Sequence, residues 1–148
     1  MFNVVDFSEE FAEILFEIHN KVIPENDKMT RNCFFDEFNQ KTRKYFVSVD
    51  ENNKPVGYIG IFDSLDDYNI IGIAVDKNYQ KKGIGSMLIK KVIDVAKQND
   101  VKALSLEVDE KNTTAINFYK NKGFEVTNIR KKYYKDNDAY IMWLYLWF

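Results

Sequence analysis

The stretch at residues 69–99 reads N-I-I-G-I-A-V-D-K-N-Y-Q-K-K-G-I-G-S-M-L-I-K-K-V-I-D-V-A-K-Q-N. Residues 70–75 form a short apolar run rich in β-branched side chains, which is typical of a strand covered on both faces. After a polar segment at residues 76–82, Gly83 and Gly85 open a helix with one apolar stripe. The stripe consists of Ile84, Met87, Leu88, Val92, Val95 and Ala96. The order of buried strand, tight glycine turn and long amphipathic helix decides how the rest of the chain is arranged.

The junction between this strand and this helix predicts an anion-binding site. The first N–H groups of a helix have no acceptor within the helix, and the helix dipole places partial positive charge beside them. Gly83 and Gly85 allow the backbone to approach a ligand closely, and Lys81 and Lys82 add positive charge. A phosphate or pyrophosphate is the expected occupant. The alternative is an ordinary strand-to-helix turn that happens to contain two glycines.

The spacing of the glycines narrows the choice of ligand. The ATP-binding pattern G-x-x-x-x-G-K-[S/T] is absent, and the dinucleotide pattern G-x-G-x-x-G fails at its third glycine, where Leu88 stands. The pattern that does occur is Gln80-x-x-Gly83-x-Gly85. It resembles the [Q/R]-x-x-G-x-[G/A] pyrophosphate loop of the GNAT N-acetyltransferases, and this resemblance implies that acetyl-CoA is the ligand.

A second motif strengthens the resemblance. Residues 106–124 read L-E-V-D-E-K-N-T-T-A-I-N-F-Y-K-N-K-G-F and closely match the second GNAT signature, L-x-V-x-x-x-N-x-x-A-I-x-x-Y-x-x-x-G-F. The tail, R-K-K-Y-Y at 130–134 and D-A-Y-I-M at 138–142, is similar to that of ribosomal-protein-alanine N-acetyltransferases and related N-terminal acetyltransferases. The resemblance covers residues 61–148. A tryptophan and serine that usually follow a proline in the ribosomal-protein enzymes are absent here, where the segment reads I-P-E-N-D-K-M-T.

The resemblance implies an α/β (α+β) GNAT fold, with a mixed central sheet of about seven strands flanked by about four helices. Periodicity along the chain predicts the order β-α-α-β-β-β-α-β-α-β-β. The strands are expected at residues 2–5, 45–49, 56–62, 70–75, 103–108, 124–134 and 139–147, and the helices at 7–22, 31–39, 83–98 and 114–122. Asp6 and Glu9 have the spacing of a capping box for the first helix.

Length and composition set the broad class. A chain of 148 residues with 45% hydrophobic residues is expected to form a single domain over residues 1–148. A net charge of −2 gives no reason to expect nucleic acid or an anionic membrane as a partner. Cys33 and His19 are each the only residue of their type, so we expect neither an internal disulfide nor a metal site. Cys33 is expected in the core. No apolar run approaches the ~20 residues that span a membrane, and no signal pattern is present, so we expect a cytoplasmic protein. We also expect it to be a monomer.

The resemblance also implies a role for individual residues. Glu107 would accept a proton from the amine and Tyr119 would donate one to the leaving thiolate. The residues expected to hold acetyl-CoA are Ile73, Ala74, Val75, Gln80, Lys81, Lys82, Gly83, Ile84, Gly85, Ser86 and Asn112. Tyr133 and Tyr134 are expected to contact the acceptor. The alternatives are that Glu107 is a solvated carboxylate at a strand end, and that Tyr119 is a core aromatic residue.

Acid–base chemistry favours an N-terminal amine as the acceptor. An α-amino group has a pKa of about 7.7–8.0, against about 10.4 for lysine. Keeping the amine neutral at pH 7 therefore costs about 1 kcal/mol for an N-terminus and about 4.6 kcal/mol for a lysine. One carboxylate is a sufficient base for the first task. We therefore expect direct acetyl transfer, in a ternary complex, to the N-terminus of a protein. The resemblance to ribosomal-protein-alanine N-acetyltransferases implies that this protein is a ribosomal protein. Acetylation of a small-molecule amine, or a non-catalytic module that binds acyl-CoA, are the alternatives.

Overall fold

The chain folds into a mixed β-sheet between two layers of helices. The computed structural model describes residues 1–134 and 136–146, apart from the side chains of Asn26, Lys132, Tyr133 and Tyr134. Its elements are β1 (Asn3–Asp6), α1 (Ala12–Val22), α2 (Arg31–Glu37), β2 (Arg43–Val49), β3 (Pro55–Asp63), β4 (Asp67–Val75), α3 (Ile84–Gln98), β5 (Ala103–Asp109), α4 (Thr113–Asn121), β6 (Glu125–Tyr134) and β7 (Asn137–Tyr145). Seven strands and four α-helices thus occur in the described part of the chain, and the predicted fold and order of elements are confirmed.

The strands form one sheet in the order β1-β2-β3-β4-β5-β7-β6. Every neighbouring pair is antiparallel except β4 and β5, which run parallel and are joined through α3. Helices α1 and α2 pack on one face, where the core includes Phe11, Leu15, Ile18, Phe34, Val47 and Tyr58. Helices α3 and α4 pack on the other, where the core includes Ile59, Ile84, Leu88, Val92, Leu104 and Ile116. We call these the α1/α2 face and the α3/α4 face.

Strand β4 contains a β-bulge at Ile71. In its pairing with β3, Ile70 lies opposite Ile61 and Gly72 lies opposite Gly60, so Ile71 has no partner on β3. An extra residue of this kind bends the strand and increases its twist. The sequence-based prediction of an uninterrupted strand missed this feature, because an apolar run looks the same with or without a bulge.

Beyond the bulge, β4 and β5 separate. Their parallel pairing ends at Ile70 and Leu106, although β4 continues to Val75 and β5 continues to Asp109. The main-chain groups of β4 that face β5 beyond Ile70 are therefore not used in the sheet. Because backbone N–H and C=O groups need partners, this opening is suited to a ligand that supplies them.

Two local predictions were wrong. Asp6 lies in β1 and not at a helix start; a 3-10 turn at Glu9–Phe11 precedes α1, and no side chain caps either of them. Cys33 is exposed on α2 and not in the core. Its neighbour Phe34 is 1% exposed and takes the inward position, because consecutive residues of a helix point in different directions.

The ends of β7 also bear on the predictions. Strand β7 begins at Asn137, two residues before the predicted start, and ends at Tyr145. Trp147, which the prediction included in this strand, lies outside the described residues. Within the described ranges, no helix is both long enough and apolar enough to cross a membrane.

Candidate active site

A cleft of about 880 Å³ lies where β4 and β5 separate. Gln80, Gly83 and Gly85, before and at the start of α3, line one part of it. His19 on α1 and Met29 before α2 line another part. The cleft therefore connects the two faces of the sheet, so that two ligands could reach one point from opposite sides.

The loop before α3 has the geometry of an anion site. Lys81 and Gly83 have positive φ angles of 64° and 82°, and turns with such left-handed residues bring successive N–H groups together. Gly83 is the N-cap residue of α3, and no side chain in the described part of the chain caps this helix. A Cβ atom added to Gly83 would meet no atom within 4 Å, so the space above the turn is open.

Hydrogen bonds within the loop hold it against β4. The Nε2 atom of Gln80 donates to the carbonyl oxygen of Val75 at 3.0 Å. The N–H of Tyr79 donates to the carbonyl oxygen of Asp76 at 2.8 Å. Gln80 thus connects the loop to the end of β4. Because its side-chain nitrogen is used in this hydrogen bond, we expect main-chain N–H groups to bind the anion.

The predicted donor-binding residues differ in how they face the cleft. All of them line it except Lys82. Ile84 is 1% exposed, so its side chain belongs to the core and only its main chain is available. Gly85 packs against α4, since a Cβ there would lie 3.3 Å from Cζ of Phe118. Asn112 caps α4, accepting from the N–H of Ala115 at 3.2 Å, and also lines the cleft.

Glu107 lies on β5 and lines the cleft with about a quarter of its side chain exposed. Its Oε1 atom is 3.1 Å from Nη2 of Arg130 on β6, two strands away in the sheet. We did not assign a role to Arg130 from the sequence, although it begins the R-x-x-Y-Y tail pattern that could have drawn attention to it. The ion pair places the carboxylate beside a positive charge.

Tyr119 lies on α4 and also lines the cleft. It is 5% exposed, and its ring packs edge-on against Phe118 and Phe124. Burial raises the pKa of Tyr119, so the hydroxyl group remains protonated at neutral pH. Within the described part of the chain, this hydroxyl has no hydrogen-bond partner. It is therefore available as a proton donor to a ligand.

The α1/α2 face of the cleft contains residues that the sequence analysis missed. His19 and Tyr58 are hydrogen-bonded to each other at 2.8 Å and line the cleft together. Asp27 and Asp109 line it as well. Burial, and then the negative charge of Asp109, raise the pKa of Asp27. Asp109 lies within the second motif, at a position that its pattern leaves open, whereas His19, Asp27 and Tyr58 belong to no recognisable motif. The four residues come together only through the fold.

Two further predictions concern the acceptor and metals. The side chains of Tyr133 and Tyr134 lie outside the described residues; their main chains belong to β6. Among the residues that the structure describes, no three His, Cys, Asp or Glu side chains are grouped so that they could hold a metal ion.

Comparison with known proteins identifies the family. The sequence profile of the acetyltransferase (GNAT) family matches residues 8–124. A ribosomal protein bS18-alanine N-acetyltransferase of Escherichia coli K12 is 34% identical over 101 residues, which is 68% of this chain and 68% of that protein. A Bacillus subtilis protein provisionally named for the same activity is 33% identical over 117 residues, which is 78% of each chain. The crystal structure of the Escherichia coli ribosomal-protein-S18-alanine N-acetyltransferase superposes with a TM-score of 0.89, at 24% identity, and covers 100% of both chains. The match of the family profile to most of the chain, together with these relatives, confirms the family predicted from the two sequence motifs: the chain belongs to the acetyltransferase (GNAT) family.

Proposed function

We propose that this chain transfers the acetyl group of acetyl-CoA to the N-terminal α-amine of a protein, and that this protein is a ribosomal protein. Its family makes it an acetyl-CoA-dependent N-acetyltransferase. The choice of acceptor is supported by relatives that are named as ribosomal protein bS18-alanine N-acetyltransferases. The observation that carries the proposal is the cleft that joins the two faces of the sheet, with the anion-binding turn at one part and Glu107 at another.

The donor would lie with its diphosphate against the turn at the start of α3. The main-chain N–H groups of residues 80–86 would bind the phosphate oxygens, with Lys81 adding positive charge. The unpaired edge of β4, at Ile73, Ala74 and Val75, would hydrogen-bond the pantetheine arm in the way that a neighbouring strand would. Asn112, at the start of α4, would contact the same arm. This arrangement places the thioester where β4 and β5 separate.

The acceptor would enter from the α1/α2 face and attack the thioester directly. Glu107 accepts a proton from the α-ammonium group, so that the nitrogen lone pair can form a bond to the carbonyl carbon. As the carbon–sulfur bond breaks, Tyr119 donates its proton to the sulfur and the nitrogen releases its second proton to solvent. Solvent later restores the proton of Tyr119. No enzyme-bound acyl intermediate is needed, because a thioester is already an activated acyl group.

The charges of the cleft suit a cationic acceptor. Asp27, Glu107 and Asp109 line the cleft on β5 and before α2, and carboxylates attract the ammonium form in which most N-termini exist at neutral pH. The positive charge of Arg130, beside Glu107, weakens this attraction of the ammonium group near Glu107. A positive charge next to the amine favours loss of its proton, which is the step that precedes attack.

The proposal includes the organisation of the protein. We propose that residues 1–148 act as one domain, as a monomer and in the cytoplasm, where ribosomal proteins are made. Light scattering after gel filtration would measure the mass in solution, and a mass of twice 17.5 kDa would contradict the monomer.

An acceptor screen tests the proposed activity. The protein is incubated with acetyl-CoA labelled in the acetyl group and with peptides that begin with alanine, in parallel with a panel of polyamines and antibiotic amines. We expect label on the α-amine of the peptides, located by fragmentation mass spectrometry. Transfer to the small amines alone would refute the peptide acceptor. Binding of acetyl-CoA without transfer to any acceptor would favour the non-catalytic alternative.

A further inference from the structure

A buried chain of hydrogen bonds joins three segments on the α1/α2 face of the cleft. The main-chain N–H of Met29 donates to Nε2 of His19 at 2.9 Å. Nδ1 of His19 is 2.8 Å from the hydroxyl oxygen of Tyr58. His19 is 3% exposed and Tyr58 is 2% exposed. The three residues come from α1, the segment before α2, and β3.

The first hydrogen bond determines the direction of the second. A main-chain N–H can only donate, so Nε2 of His19 must be the acceptor and carries no proton. The proton of the neutral ring is therefore on Nδ1, which donates it to the oxygen of Tyr58. Burial, and then the positive charge of Lys28, lower the pKa of His19, which agrees with a neutral ring. The hydroxyl proton of Tyr58 consequently points away from His19.

The surroundings of Tyr58 indicate that its hydroxyl group faces the cleft. On β4, Ala74 lies directly opposite Tyr58. Gly72 has no side chain, and a Cβ added to it would lie 3.9 Å from Cε1 of the Tyr58 ring. Both Gly72 and Tyr58 line the cleft. Apart from His19, no residue in the described ranges is a hydrogen-bond partner of this hydroxyl, and buried donors are nearly always satisfied. A group in the cleft is the remaining acceptor.

We propose that Tyr58 donates a hydrogen bond to the main-chain carbonyl oxygen of the acceptor's first residue, and that His19 is a positioning residue that directs this hydrogen bond. This inference rests on the proposed function, since it concerns the same acceptor. In an N-terminal peptide, the carbonyl group nearest to the reacting amine is separated from it by one carbon atom. An enzyme that binds both groups selects acceptors with an α-aminoacyl group over amines that have no carbonyl oxygen at that position.

The test compares two acceptors in the wild type, in two single variants and in their double variant. The acceptors are an alanyl peptide and its isostere in which the first amide bond is replaced by a carbon–carbon double bond. Tyr58→Phe keeps the ring and removes only the hydroxyl group. We expect it to lower kcat/KM for the peptide by about three- to tenfold, mainly through KM, and to leave the isostere unchanged. The ratio of kcat/KM for the peptide to kcat/KM for the isostere is the peptide-to-isostere ratio. His19→Asn alone should lower this ratio, but adding His19→Asn to Tyr58→Phe should not lower it further.

The matched control is Tyr68→Phe. Tyr68 is 1% exposed, and its hydroxyl accepts a hydrogen bond from Asn99 at 3.0 Å on the α3/α4 face, away from the acceptor. This variant should leave the peptide-to-isostere ratio at the wild-type value. Equal losses for both acceptors, or no loss for either, in a Tyr58→Phe protein that unfolds like the wild type would overturn the inference while leaving the proposed function intact. A wild-type protein that acetylates no peptide would overturn both.

Discussion

The turn at Gly83 offers the sharpest test of how the donor is bound. Gly83 has φ of +82°, a conformation that costs an L-residue about 1–2 kcal/mol. A Cβ placed there would touch nothing within 4 Å, so Gly83→Ala should add backbone strain but no clash within the protein. In our proposal, however, this open space is where the diphosphate of acetyl-CoA lies. The methyl group would hold the phosphate away from the main-chain N–H groups.

The expected loss of affinity is larger than the strain alone would explain. A hydrogen bond to a charged group contributes about 1.5–3 kcal/mol. Losing one of them weakens binding of CoA by about ten- to a hundredfold, because each 1.4 kcal/mol is a factor of about ten. Calorimetric titration with CoA measures this change, and thermal unfolding of the free protein measures the strain separately.

Gly123→Ala is the matched control for strain. Gly123 follows α4 with φ of +98°, and a Cβ there would lie 3.2 Å from Cδ1 of Leu144. This variant should lose at least as much stability as Gly83→Ala, and yet it should bind CoA with the affinity of the wild type. If Gly83→Ala binds CoA as tightly as the wild type, or if both variants lose affinity to the same extent, the turn does not hold the diphosphate.

Three further outcomes are expected. Glu107→Gln should lower kcat for peptide acetylation by about 10²–10⁴-fold, whereas Glu125→Gln, a change on the exposed surface of β6, should not; equal rates for the two variants would exclude Glu107 as the base. Tyr119→Phe should lower kcat and leave KM for acetyl-CoA unchanged in steady-state assays, and an unchanged kcat would mean that the sulfur is protonated in another way. Because the pKa of His19 is lowered by burial and then by Lys28, the unfolded chain takes up the proton first. The free energy of unfolding should therefore be level above a pH of about 6.5 and should fall below it, by at most ~1.4 kcal/mol per pH unit for this group. Denaturant titrations of His19→Gln should lack this component, and identical pH slopes for the two proteins would contradict the assignment.

The sequence was sufficient to predict the glycine turn before α3 because that turn is local. The turn of Gln80, Gly83 and Gly85, the preceding strand and the following helix lie within one continuous stretch. Their chemistry depends on backbone conformation and on unpaired N–H groups, and glycine spacing reports both. The alternation of strands and helices likewise depends on short-range periodicity, which is why the order of elements could be predicted.

The opening between β4 and β5 could not be predicted in the same way. It depends on the bulge at Ile71 and on a pairing that stops at Ile70 and Leu106. Both are properties of two strands together. In the sequence, residues 70–75 are simply apolar, and nothing in their composition shows where a neighbouring strand ends its hydrogen bonds. The resemblance to a family implied the fold, but the residues alone did not reveal this separation.

The acceptor side of the cleft was the hardest part to predict from the sequence, because its contacts join residues that are far apart in the chain. His19 and Tyr58 are 39 residues apart, and Arg130 and Glu107 are 23 residues apart. Each partner taken alone has an ordinary explanation: a buried histidine, a strand tyrosine or a surface arginine. Only their distances in the fold show that the histidine is hydrogen-bonded to the tyrosine hydroxyl group and that the arginine lies beside the proposed base.

In our proposal, the donor and the acceptor are bound by different parts of the protein, and this separation affects how such an enzyme can change its acceptor. In the proposed function, the turn before α3 and the edge of β4 bind the donor through the main chain, so most side-chain substitutions on the α1/α2 face should leave donor binding intact. In the same proposal, the acceptor contacts side chains of α1, the segment before α2, β3 and β5, which line the cleft. A change in any one of them should alter charge or hydrogen bonding there without disturbing the donor. One fold can therefore keep its acetyl donor while its acceptors differ.

In this chain the segment before α2 carries Asp27 and Met29, with no tryptophan or serine after its proline. Met29 fixes the ring of His19 through its main chain, and His19 in turn directs Tyr58. We therefore expect exchanges of this segment between relatives to change the ratio of peptide to amine acetylation while KM for acetyl-CoA stays constant, and a parallel change in both would show that the two ends of the cleft are not independent.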